Sequence, residues 1–150
     1  MPKTNTLPLT QNIKVASNVL VNSSGVISGE SGTSVSNLVT IYTCGSNDAI
    51  VKSLLLFSSD TANKNVSFYV NNGTADYLIG TITAWAYSGT SGTTINLDFL
   101  GSIYTQGFPI DASGKNVMPM QAGHVLKAGI VTTAVTSGKT ISITAIVEEY

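Results

Sequence analysis

Apolar residues along this chain recur in short β-branched runs broken by Gly, Ser and Asn, with no helical stripe held beyond two turns. The period-two form is clearest in NVSFYVN (65–71). There Val66, Phe68 and Val70 face one way and Ser67, Tyr69 and Asn71 the other. The preceding AIVKSLLLFSS (49–59) is apolar on both faces, which predicts a central strand covered on each side. Between them, SSDTANKN reads as a chain reversal, with Asp60 and Asn63 as residue types that cap a bend. NNGTAD then supplies the Asn-Gly of a hairpin turn into YLIGTITAWA (77–86), where Leu78 and Ile82 bracket Gly80.

The remaining elements follow the same logic. VSNLVTIYTC (35–44) reads as a strand, with Val35, Asn37, Val39, Ile41 and Thr43 on one face and Leu38, Thr40 and Tyr42 on the other. IKVASNVLV (13–21) is a candidate first strand, and INLDFLGSIY (95–104) is a mixed one. Residues 108–130 form extended segments separated by DASGK and QAG turns, and TISITAIVEEY is the last strand after a TSGK turn. About eight strands on this scale predict an all-β fold, a single antiparallel β-sandwich of jelly-roll-like or Ig-like form over residues 35–150. Pro2 and Pro8 deny donors to the first dozen residues, and 23–36 holds three Ser-Gly steps. Residues 1–34 are therefore expected as an extended N-terminal arm and flexible linker.

Composition narrows the function classes. Only 10% of residues are charged, all seven basic residues are Lys, and Ser, Thr, Asn and Gly make up 63 of the 150 positions. A surface of hydroxyls and amides with a net charge of −1 and scattered lysines has no electrostatic footprint for nucleic acid. No apolar run approaches the roughly 18 residues of a membrane span, and the first residues hold no apolar signal core. The single Cys44 excludes an internal disulfide and is expected as a buried, small apolar residue.

Catalytic chemistry finds little purchase. His124 is the one histidine, and no G-x-S-x-G elbow accompanies it. Asp48, Asp60, Asp76 and Asp111 fall in predicted turns, where Asp caps its own backbone, and Asp98 in INLDFL is expected to face solvent. DTANKN lacks the Gly and terminal Glu of a calcium loop, and chance accounts for the N-x-[ST] triplets at Asn22, Asn65 and Asn72. The expectation is no enzyme, no cofactor and no metal. Trp85, Tyr87 and Tyr104 lie near Gly-Ser loops and form the alternative feature, a platform for glycans.

From VKSLLLFSSDTANKNVSFYVNNGTADYLIGTITA through NVMPMQAGHVLKAGI to KTISITAIVEEY, the chain resembles the capsid decoration (head auxiliary or cement) proteins of tailed bacteriophages. SSDTANKNVSFYV matches that family's bend and second strand, YLIGTI its third, MQAGHVLKAG its turn and ISITAIVEEY its last strand. The family's Pro-rich lead-in is missing from the loop at 87–94, and residues 1–48 match nothing specific. The resemblance implies a structural virion protein, made in the host cytoplasm, that binds the major capsid protein on the capsid exterior as a homotrimer and stiffens the shell. The arm is then the attachment element, with Pro2, Leu7, Pro8, Leu9 and Ile13 as partner-binding residues that add a strand to a neighbour's sheet edge. The alternative is a fibre or spike domain binding host-surface glycans through Trp85, Tyr87 and Tyr104.

Overall fold

The computed structural model describes residues 12–101 and 107–150. Among these described residues nine strands run in chain order: β1 Asn12–Val21, β2 Val39–Thr43, β3 Ala49–Ser58, β4 Lys64–Asn71, β5 Asp76–Ala84, β6 Leu97–Asp98, β7 Met118–Met120, β8 Val125–Ile130 and β9 Thr140–Glu149. They form two antiparallel sheets. The first has the order β1-β9-β3-β6, with β7 also on β3, and the second has the order β2-β8-β4-β5.

The pairing is nested. The first strand pairs with the last, β2 with β8, β3 with β6 and β7, and β4 with β5. This is the folded-over ribbon of a jelly roll with its two Greek keys, rather than the Ig arrangement. The expected all-β sandwich is the observed fold.

Alternation decides which side of each strand meets the core. Along β9, Ile141, Ile143, Ala145 and Val147 are buried, while Ser142, Thr144, Ile146 and Glu148 face outward and are only partly covered. Val51, Leu54 and Leu56 of β3 join them, with a register shift between Val51 and Ser53 that keeps the apolar set inward. The second sheet contributes Val66, Phe68, Leu126, Ala128 and Ile130. Phe99 lies between the sheets, fully buried, with its ring 4.7 Å from that of Phe68. The space for it exists because residue 80 is glycine. A Cβ there would fall 2.6 Å from Phe99 Cζ.

Three local expectations change. The segment 35–44 enters the ladder only at Val39, and Asn37 takes a left-handed φ of 62° while its amide bonds Val26 O. A register shift between Thr40 and Tyr42 then turns both Ile41 and Tyr42 inward and leaves Thr43 exposed, so the expected single face is broken by a bulge. Within the described part of the predicted strand, residues 95–101, only Leu97–Asp98 is in the ladder, because the Asp98 carboxylate bonds the N–H of Leu54 at 3.0 Å and of Leu100 at 3.1 Å and turns the chain. Asp98 is accordingly not a solvent-facing residue but a staple between β3 and the turn after β6.

Residues 12–34 contribute to the sandwich directly. β1 pairs with β9 in register from Asn12↔Glu149 to Val21↔Thr140. Val26 then bridges Ile130, Ser28 bridges Ser36 and Thr33 bridges Asp76, which lays this connection along the second sheet. Residues 1–11, with the candidate contacts Pro2, Leu7, Pro8 and Leu9, lie outside the described residues, as does Tyr104.

Gly80→Val should therefore lower stability by about 1–3 kcal/mol, the usual range for overpacking a filled core. Urea unfolding followed by fluorescence of the lone Trp85 measures it. An unchanged midpoint would mean that Phe99 has room to move.

Candidate interaction surface

The expected bend at 58–64 is a structural hub. Asp60 is completely buried, and its carboxylate accepts hydrogen bonds from Ala62 N at 3.0 Å, Thr136 N at 2.8 Å and Thr136 Oγ1 at 2.8 Å, with Lys64 Nζ at 3.8 Å. Its own carbonyl receives the Tyr87 N–H, and Asn63 Oδ1 receives that of Ala86. One bend thus fastens the loop before β9 and the loop after β5. Burial pushes the Asp60 carboxyl up, but the donors from Thr136 and Ala62 and the Lys64 charge outweigh it and hold the group below its ordinary value.

Asp76 does the same at another loop. It is buried at the start of β5 and binds Lys127 Nζ at 2.9 Å, Asn71 Nδ2 at 2.8 Å and Val35 N at 2.9 Å. Burial again opposes ionisation and is overcome, first by Lys127 and then by Val35 and Asn71, so this carboxyl too is lowered. Asp48 accepts the Ala122 N–H, and Asp111 binds Lys52 Nζ at 2.8 Å as well as Ser113 and Lys115. Every aspartate in the chain receives at least one backbone N–H. These carboxylates are spent on loop geometry, and all five reach across the fold instead of capping only their own turn, four of them to a distant backbone N–H and Asp111 to the Lys52 ammonium.

The remaining candidates are scattered. His124 is partly covered in an open depression of about 650 Å³ with Asp48, Ile50, Met120, Gln121 and Tyr150. Its backbone closes the turn, its N–H on Gln121 O and its carbonyl receiving Cys44 N–H. Cys44 is buried as expected, and desolvation raises its thiol. Among the described residues no three His, Cys, Asp or Glu side chains gather into a possible metal cluster. Trp85 and Tyr87 sit together in the loop after β5, 50% and 43% exposed. Tyr87 holds a left-handed φ of 59°, an unusual conformation for a bulky residue.

Among the described residues, a row of exposed apolar side chains lies on β1. Ile13, Val15 and Val19 alternate on its outward side at 69%, 69% and 43% exposure, with Ser17 between them. The opposite side carries Lys14, Ala16, Asn18 and the buried Leu20. β1 is also the end of its sheet. The Val19 N–H is capped by Asn18 Oδ1 at 2.8 Å and the Val21 N–H by Ser24 Oγ at 3.0 Å, so odd-numbered residues point their backbone groups away from β9. By the same alternation Ile13, Val15 and Ser17 present theirs to the outside. Ile13, named from sequence, thus lies on this surface. Val15 and Val19 were missed because alternation alone does not tell a sheet end from its centre.

The inner side of β1 is tied down. Lys14 Nζ and Tyr42 Oη both sit 2.6 Å from oxygens of Glu149. Lys14 first and Tyr42 second hold Glu149 below its ordinary value, while burial and then Glu149 push the Tyr42 phenol up.

No family model and no curated protein matches the chain. Among solved structures, it is similar to a chain in the cyanophage Pam1 capsid asymmetric unit, over 99% of both chains, at 16% identity and a TM-score of 0.43. That likeness is too distant to bear on function.

Acid should unfold the protein through Asp60 and Asp76. A carboxyl lowered by folding adds stability that is complete above its unfolded value and is lost as pH falls through the folded one. The melting temperature should hold near neutrality and drop below about pH 4. Asp76→Asn should cost about 1–3 kcal/mol at pH 7 and flatten that acid slope. A variant with the wild-type slope would remove Asp76 from the account.

Proposed function

We propose that the chain is a non-enzymatic structural protein of a tailed-phage virion, which binds the major capsid protein on the outer surface of the shell and stabilises it. The observation that carries this reading is the outward side of β1, where Ile13, Val15 and Val19 stay exposed on a protein with few surface charges. Such a strip gains by being covered, and flat apolar surface rimmed by hydroxyls suits a protein partner. Residues 1–11, the proposed attachment arm, directly precede this strand in the sequence. The resemblance of residues 50–150 to capsid decoration proteins supports the same reading. Repetition over a shell turns weak single contacts into firm attachment.

The test is co-sedimentation with shells assembled from the cognate major capsid protein. Removing residues 1–11 leaves β1 intact and should reduce occupancy at least about tenfold, as should Ile13→Lys combined with Val19→Lys, each substitution pointing away from the core. Full occupancy of both variants would contradict the reading.

A second reading, a fibre or spike domain that binds glycans, is favoured by the exposure of Trp85 beside Tyr87 on one Gly-Ser loop. Aromatic faces stack on the apolar faces of sugars, and neighbouring threonines and asparagines supply donors. A glycan array with hits abolished by Trp85→Ala would support it. A blank array with full shell binding would leave the capsid reading alone.

A further inference from the structure

The sheet ends differ in how they are closed. On β5, the Leu78 N–H goes to Ser31 Oγ at 3.0 Å and the Asp76 carbonyl receives Gly32 N–H, so the 28–33 segment covers its beginning. On β2, the Thr40 carbonyl is taken by Asn18 Nδ2 at 2.9 Å. β6 and β7 offer two and three residues. Among the described residues, β1 is closed at Val19 and Val21, by Asn18 and Ser24, and is open from Ile13 to Ser17.

That open run is symmetric about Val15, and its chemistry matches its own reverse. We propose that two copies of this chain pair β1 to β1, antiparallel, across a two-fold axis at Val15. In this register Val15 opposes Val15, Ile13 opposes Ser17 and Lys14 opposes Ala16. Residues 13, 15 and 17 of each strand all point at the partner and exchange about six backbone hydrogen bonds. The outward strips merge into one apolar band, with Val15 against Val15 at its centre.

Charge permits the pairing. A lysine on an end strand normally deters strand addition, and Lys14 is the one charge between Asn12 and Val21. Here its ammonium is held 2.6 Å from Glu149, on the inner side of its own sheet, and the residue directly opposite it in the pair is an alanine. The two copies' lysines are diagonal neighbours about 7–8 Å apart, each already paired with its own Glu149. The Asn18 cap ends the ladder on both sides, which fixes the register and leaves the pair closed, so further copies cannot add at this edge. The pairing goes beyond the capsid reading and does not depend on it.

A contact this short falls below the roughly 1,200 Å² of a stable interface, so the pair should form in solution only at about 0.1 mM or above. Sedimentation velocity over a dilution series should show a monomer–dimer equilibrium. Val15→Pro removes an outward N–H while sparing the β9 ladder, a place where an end strand tolerates proline, and should weaken association at least about tenfold. Val15→Cys provides a check that does not depend on proline being tolerated. Opposed residues of such a pair sit about 5.5 Å apart at Cα, within disulfide reach, whereas cysteines at position 19 would lie about 26 Å apart.

Mild oxidation should therefore link Val15→Cys into dimers and leave Val19→Cys monomeric. Equal cross-linking of the two variants, a monomer at every concentration, or a trimer indifferent to Val15→Pro would each overturn the proposal. A monomeric protein whose shell binding is lost in Val15→Pro would also overturn it and assign the open edge to the capsid instead.

Discussion

The structure depends on β9 lying between β1 and β3. Its ten residues hydrogen-bond to β1 on one side and to β3 on the other, and its inward Ile141, Ile143, Ala145 and Val147 are all fully buried. Until those residues arrive, the first sheet is in two pieces with no shared core face. Pairing the first strand with the last is a long-range contact, which makes closure entropically costly and folding slow for a domain of this size. The same arrangement leaves β1 at the sheet end with a partner on one side only, so the open edge is a consequence of the topology.

Around this frame the few charges do local work. With 10% charged residues the chain cannot solvate its loops by charge, and it uses each aspartate to collect backbone N–H groups from neighbouring loops. Asp60 joins the bend after β3 to the loop before β9, and Asp76 joins β5, β4, β8 and Val35. A buried carboxylate with three or four donors is stable where an unpaired one would not be. Donors from neighbouring loops saturate both carboxylates.

Much of this was legible in the sequence. The alternation of NVSFYVN, the two-sided apolar run of 49–59 and the β-branched last strand predict β4, β3 and β9 to within a residue or two, because buried strands print their period directly. Asp60 and Asn63 were readable as bend residues from their type. Their long-range partners were not, since Thr136 and Ala86 come near only when the sheets stack. The bulge at Thr40–Tyr42 hides for a similar reason: an extra residue flips a face without changing composition. Nor does any local pattern say that β1 ends its sheet. That follows from the strand order, which is a property of the whole chain.

The central claim is that Ile13, Val15 and Ser17 present an open edge that a second copy closes. Residue-resolved amide exchange reads it most directly, compared between a dilute sample and one near 1 mM, well above the concentration of about 0.1 mM estimated for pairing. The account predicts that Lys14, Ala16, Asn18 and Leu20 are protected in both, through β9. Ile13, Val15 and Ser17 should exchange freely when dilute and slow down together when concentrated. Equal exchange of those three amides in the two samples, fast or slow, would contradict it.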